Sequence, residues 1–257
     1  MPILAIALLA TVTAHTLHDP HAARDRRLWV YTPPGYSTSS TPFDLLIAFD
    51  GEEYQDDIPL PAMLDELAAS HRAPPMVAVL VDNGSGAART ADLGNSAKFN
   101  AFLADTLIPW VRKGWNVTRD PAHTIVTGSS AGGLGAASAA FAHPDVFGVV
   151  LSQSGAFWRG NEGSNDAPYE WLTEQVAASP KKPVRFWLEV GERETHAVLG
   201  GSGPVFIEAN RRFAEALKAK GYDVTLTIVP DGVHSPETWK ARLPAALEAV
   251  ARKVTRP

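Results

Sequence analysis

The 257-residue chain contains no cysteine. That absence excludes disulfide staples, thiol nucleophiles and thiolate-bound zinc together, and it leaves the compartment open, because exported proteins also dispense with cysteine. Charge is sparse as well. Charged residues make up 20% of the chain, with a net charge of −5 and a pI near 5.9, so no basic excess exists to attract a nucleic acid. Past the N-terminus no apolar run approaches the length of a bilayer span, and a membrane-embedded body is excluded. The first residues are the ambiguous stretch. Ile3-Leu4-Ala5-Ile6-Ala7-Leu8-Leu9-Ala10 is apolar like a signal-peptide core, yet no positive residue precedes it and Val12-Thr13-Ala14 is only a fair cleavage site. The expectation is a cytoplasmic protein whose first ten residues are an irregular leader or a buried strand. The alternative is a periplasmic or secreted one, if residues 1–14 act as a signal.

A hydrophobic content of 45% is ordinary for a globular protein, and 257 residues suit one large α/β domain, so the whole chain is read as a single unit. β-rich runs alternate with helical ones, the pattern of a mostly parallel sheet covered by helices on both faces. Two early runs, Thr11–His18 and Arg27–Tyr31, are joined by a polar link and predict an antiparallel hairpin that Pro33-Pro34-Gly35 stops. Further strands are expected at Asp44–Phe49, Met76–Val81, Thr124–Thr127, Val149–Leu151, Val184–Val190 and Val224–Val229. Helices are expected at Leu60–Ser70, Ser96–Val111, Ala131–Ala142, Pro168–Ala178, Pro204–Lys220 and Pro236–Val254. Gly200-Gly201-Ser202-Gly203 reads as a loop inside the domain, since the alternation resumes directly after it.

Gly128-Ser129-Ser130-Ala131-Gly132 is a G-x-S-x-G pattern set between a strand and a helix. That setting places a serine on a strained turn, with near-side-chain-free neighbours that let strand and helix approach. Free N–H groups at the helix start favour developing negative charge there. Ser130 has the symmetric glycines and Ser129 does not, so Ser130 is the candidate nucleophile.

A base should follow it in the chain. His143 sits at the end of the helix after the elbow, where a C-terminal cap is the simpler role, and His196 lies in the glycine-rich loop. His234 follows the last strand in Asp231-Gly232-Val233-His234-Ser235-Pro236, where this topology can carry a base over the nucleophile. The acid belongs at the end of the preceding strand. Period-2 counting keeps Glu189 within that strand, while Glu192 and Glu194 both lie in the loop after Gly191, and spacing does not separate them.

Two backbone donors are needed for a tetrahedral oxyanion: the Ala131 amide, next after the serine, and the Glu52 amide in Asp50-Gly51-Glu52 beyond the first parallel strand. The carboxylates of Asp50, Glu52, Asp56 and Asp57 lack calcium-loop spacing, so no metal and no cofactor are expected. Phe157, Trp158 and Trp239 are candidate substrate-wall residues, and the stretch from Gly155 to Trp171 is too short for a separate cap domain.

Four stretches together resemble the enterochelin (ferric siderophore) esterase family of the α/β-hydrolases. They are Leu28-Trp29-Val30-Tyr31-Thr32-Pro33-Pro34-Gly35-Tyr36, Phe49-Asp50-Gly51, Ile125 to Gly133 with Val150-Leu151-Ser152-Gln153-Ser154-Gly155, and Asp231-Gly232-Val233-His234 with Trp239. The resemblance implies an α/β-hydrolase fold and a serine esterase that acts on a small-molecule ester without a cofactor. It also implies that the acid is the glutamate three residues after the strand-ending glycine, which is Glu194. Two departures stand out. Enterochelin esterases often carry an N-terminal domain, for which this chain has no room, and the segment Thr195–Pro204 is longer than is usual there. Feruloyl, acetyl-xylan and polyester-cleaving esterases use similar scaffolds. An acyltransferase on the same site would differ in passing its acyl group to an alcohol, and a non-catalytic binding protein would have little use for elbow, base and oxyanion glycine together.

Overall fold

The computed structural model describes residues 9–197 and 204–252, and in it the first two strands form the expected hairpin. Strands β1 (Thr11–Asp19) and β2 (Arg24–Thr32) pair antiparallel, with Thr11 opposite Thr32 and Asp19 opposite Arg24. Then come β3 (Asp44–Phe49), β4 (Met76–Val81), β5 (Thr124–Ser129), β6 (Val149–Gln153), β7 (Arg185–Gly191) and β8 (Val224–Val229). β2 joins β4 antiparallel, every later pairing is parallel, and the order across the sheet is β1-β2-β4-β3-β5-β6-β7-β8. Every residue of β3 and β4 is buried, as their unbroken apolar sequences require of strands covered on both sides.

The pleat sorts these side chains between two cores. Leu45, Ile47 and Phe49 of β3 face one core, and Leu46 and Ala48 face the other. The first core is closed by α3 (Gly86–Leu93), α4 (Ala97–Phe102), α5 (Ile108–Gly114), α6 (Ala131–Ala142), α7 (Trp171–Ala178) and α8 (Phe206–Ala219). The second is closed by α1 (Glu53–Asp56), α2 (Leu60–Ala69) and α9 (Pro236–Arg252). In α8, Phe213 and Leu217 are fully buried at four-residue spacing, each contributing roughly 1.5–3 kcal/mol of apolar transfer.

The single helix expected over Ser96–Val111 is interrupted by a π-helical turn, Leu103–Leu107, between α4 and α5. Pro109 has no N–H for the carbonyl four residues back, and widening the preceding turn accommodates that loss. The helix expected from Pro168 begins at Trp171. Helices α1 and α3 were not anticipated, because neither Glu53–Asp56 nor Gly86–Leu93 carries an apolar stripe long enough to register. Residues 1–8, the glycine-rich residues 200–203 and Val254 lie outside the described residues. Among the described residues no helix is long and apolar enough to cross a membrane.

Candidate active site

The turn from β5 into α6 carries the strain its sequence predicts. Ser130 adopts φ 56°, ψ −118°, outside the region an ordinary serine occupies. Gly128 must be glycine, because a Cβ there would stand 2.5 Å from the Gly132 backbone. The turn is held by the Ser130 amide donating to the Gln153 carbonyl at 2.9 Å. Ser129 is fully buried and Ser130 is partly open, so the rival serine points into the protein.

His234 is delivered by the turn between β8 and α9, and the carboxylates by the turn after β7. Glu189 stays within the strand as expected, buried and bonded by Arg242 at 2.9 Å. The two loop glutamates separate cleanly. Glu192 turns outward and accepts the Asp231 amide at 3.1 Å, while Arg193 pairs with the Asp231 carboxylate. Glu194 turns inward, with its side chain 1% exposed, and its Oε2 lies 2.7 Å from His234 Nδ1. With Nδ1 donating to that carboxylate, His234 Nε2 is the acceptor for the Ser130 hydroxyl at 3.0 Å. A hydroxyl, an imidazole and a buried carboxylate thus stand in one hydrogen-bonded line, able to draw a proton off the hydroxyl and hold it as an imidazolium. His143 is the C-cap of α6, and His196 is exposed on the loop.

Sequence reasoning missed Ser154, which ends the β6 turn in Ser152-Gln153-Ser154-Gly155. Its hydroxyl meets the other Glu194 oxygen, Oε1, at 2.6 Å, where the Gly191 amide also donates at 2.8 Å.

The loop after β3 is pinned against this elbow. Asp50 adopts φ 56°, its amide donates to Asn83 Oδ1 at 3.0 Å, and its carboxylate takes a two-pronged bond from Arg89, each at 2.7 Å. Asp50 Oδ2 also lies 3.1 Å from where a Gly132 Cβ would be, which places the Asp50-Gly51-Glu52 loop beside the first turn of α6. Among the described residues neither the Ala131 nor the Glu52 amide donates a hydrogen bond. The Glu52 side chain points away and pairs with Arg27 at 2.9 Å.

Two cavities lie nearby, one at the Asp50-Gly51-Glu52 loop and one at His234. One, of about 470 Å³, is lined by Asp50, Glu53, Asp57, Asp82, Arg89 and Pro236, among others. Burial, and then the neighbouring Asp50 charge, hold the Glu53 carboxyl above its ordinary range. The other, of about 480 Å³, is walled by Phe206, Val233, Ala197 and His196 beside His234. Neither uses the aromatic residues expected as walls. Phe157 is fully buried and stacks on Phe213 at 4.0 Å. Trp158 is buried edge-on behind Phe206, with ring centroids 6.3 Å apart. Trp239 is buried edge-on against the His234 ring at 5.0 Å. All three are core residues, because large aromatic area pays more in the interior than at a cavity mouth. Phe206, whose ring packs 4.4 Å from that of His234, takes the wall position. Its only sequence signal was its place just after the glycine-rich loop.

Residues 20–250 match the family described as "Putative esterase". The iron(III) enterobactin esterase of Dickeya dadantii is 30% identical over 227 residues, covering 85% of this chain and 50% of that protein. The chain thus spans about half the length of that relative. A solved enterobactin esterase of Shigella flexneri, determined in the presence of enterobactin, superposes with a TM-score of 0.82 at 26% identity, over 95% of this chain and 60% of the other. A ferulic acid esterase shares the fold with a TM-score of 0.77 at 19% identity, over 95% of this chain and 98% of its own.

Proposed function

The chain belongs to the putative-esterase family, and on that premise we propose that it hydrolyses carboxylic esters through an acyl-enzyme on Ser130. The observation that carries this reading is the line Ser130 Oγ–His234 Nε2 at 3.0 Å and His234 Nδ1–Glu194 Oε2 at 2.7 Å. In the first step Ser130 Oγ attacks the ester carbonyl carbon while His234 Nε2 takes its proton, and Glu194 stabilises the imidazolium. The Ala131 and Glu52 amides receive the oxyanion. The imidazolium then protonates the departing alkoxide as the ester C–O bond breaks. In the second step a water gives its proton to the same imidazole as it attacks the acyl carbon, and the imidazolium returns that proton to Ser130 Oγ as the acyl–serine bond breaks and the acid leaves.

The relatives named for enterobactin make a siderophore trilactone the first substrate to consider. The cavity linings favour a second reading, a feruloyl-, acetyl-xylan- or polyester-type carboxylesterase. Phe206, Val233 and Ala197 suit an apolar or aryl group. The other cavity is lined by six acidic residues; Arg89 pairs with Asp50 and Arg27 with Glu52 and Asp82, which leaves an excess of negative charge that repels a polyanionic ferric catecholate. The test is a panel of p-nitrophenyl esters, aryl esters and a catecholate trilactone, with a fluorophosphonate probe mapped by mass spectrometry. Hydrolysis with the adduct on Ser130 is expected. An adduct on another serine, or an active Ser130→Ala variant, overturns the mechanism.

A further inference from the structure

We propose that Ser154, backed by Trp239, is a positioning residue that keeps the Glu194 carboxylate aimed at His234. The inference rests on the esterase reading above and adds to it a donor the reaction scheme does not use.

The direction of the bonds follows from which groups can donate. The Trp239 indole N–H can only donate, and it meets Ser154 Oγ at 2.9 Å. The serine oxygen therefore accepts there, and its single O–H is committed to Glu194 Oε1 at 2.6 Å, a length typical of a hydroxyl on an ionised carboxylate. With the Gly191 amide on the same oxygen at 2.8 Å, Oε1 holds two donors, and Oε2 is left for His234 Nδ1. Four elements converge in this way: α9 supplies Trp239, the end of β6 Ser154, the end of β7 Glu194 and the end of β8 His234. Ser154 is buried at φ 48°, its amide tied to the Glu189 carbonyl at 2.7 Å. Trp239 serves twice, since its ring also stands edge-on to His234 at 88°. No proton travels along this chain, because the indole N–H is not acidic. Its work is to give Oε1 a second donor beside the Gly191 amide, so that Oε2 stays turned to His234.

The test compares Ser154→Ala, Trp239→Phe and the double variant, with rates expressed per site titrated by fluorophosphonate. Ser154→Ala is expected to lower kcat on the order of 10- to 100-fold, the usual cost of losing an outer-shell partner, with KM within about twofold. The acid limb of its pH–rate profile moves to higher pH, because a carboxylate with one donor fewer holds the imidazolium proton more tightly. Trp239→Phe keeps a ring against His234 and removes the donor. It produces a smaller displacement of the same limb, which disappears in the Ser154→Ala background, and it tests the proposal alone if Ser154→Ala does not fold. A Ser154→Ala enzyme with wild-type kcat per site overturns the proposal. So does one that loses rate while its acid limb stays in place, since a merely structural role does that. Failure of the esterase reading would look different: a wild-type protein that cleaves no ester.

Discussion

Gly191 and Gly232 meet backbone to backbone, so that a Cβ on Gly191 would stand 2.4 Å from the Gly232 carbonyl oxygen and 2.9 Å from Glu194 Oε1. The contact joins the turn that carries Glu194 to the turn that carries His234. Gly191→Ala must therefore push the two turns apart, which leads to our first prediction. Overpacking of this kind costs about 1–3 kcal/mol of stability, and a displacement near 1 Å at a reacting group costs roughly 100-fold in rate. Thermal unfolding and kcat on a p-nitrophenyl ester measure the two effects. A Gly191→Ala enzyme with wild-type kcat would show that the Glu194–His234 geometry does not depend on this approach.

The two loop glutamates should answer differently to the same chemical change. Glu194→Gln removes the charge facing the imidazolium, and kcat is expected to fall by roughly 10³–10⁴ with KM nearly unchanged. Glu192 is exposed and accepts the Asp231 amide, a bond that a glutamine oxygen can also accept. Glu192→Gln should stay within about threefold of wild type by the usual tolerance of surface changes. Equal losses in both variants would count against Glu194 as the residue that orients His234.

The sequence carried much of this site because its chemistry demands particular residues at particular breaks in the chain. The glycines around Ser130 are imposed by the approach of β5 and α6, and His234 by the turn after the last strand. Glu194 was different. Spacing allowed Glu192 equally, the family resemblance pointed to Glu194, and the inward turn of the loop, where Gly191 meets Gly232, brings that residue to His234. The wall residues were misplaced because composition cannot tell an aromatic side chain that fills a core from one that lines a cavity. Phe157 and Trp239 went to the core, and Phe206 took the surface position. Ser154 was invisible because a serine after a strand has many bland roles, and its partners Trp239 and Glu194 lie 85 and 40 residues away in the chain.

Arg26 tests how far the site loop depends on a buried ion network. Its guanidinium, 2% exposed, bonds Asp92 at 2.5 and 2.9 Å and Asp19 at 2.6–2.7 Å. Asp92 also accepts from Asn83 at 3.1 Å, and Asn83 in turn accepts the Asp50 amide. Arg26→Ala leaves buried Asp19 without a cation and Asp92 with Arg24 alone, at 2.6 Å, and is expected to cost about 3 kcal/mol, the low end of the usual penalty for breaking a buried pair. Denaturant unfolding reads that loss. Because Asp92, to which Asn83 donates, is then held by one arginine in place of two, kcat should fall as well under conditions where the variant remains folded. A stable variant with full activity would uncouple the network from the Asp50-Gly51-Glu52 loop.

Glu53 gives a prediction in pH. It lines the carboxylate-rich cavity, and burial first, then the Asp50 charge, raise its folded-state pKa above the ordinary glutamate value, with Arg89 pulling the other way. A carboxyl raised on folding binds its proton more tightly in the folded state, so the stability it contributes is complete below the ordinary value. That contribution declines as the unfolded chain ionises and is gone once the pH has risen through the folded value. At neutral pH the wild-type protein therefore carries the cost of an ionised, half-buried Glu53. Glu53→Gln is neutral at every pH and should raise Tm near pH 7, since it removes the cost of an ionised carboxyl there. The gain should shrink on acidification and vanish below about pH 4, where glutamate is protonated in both states. Calorimetric scans of the two proteins across that range measure the difference directly. A Tm gain that persists unchanged at low pH would mean that packing, and not the charge on Glu53, is what the substitution alters.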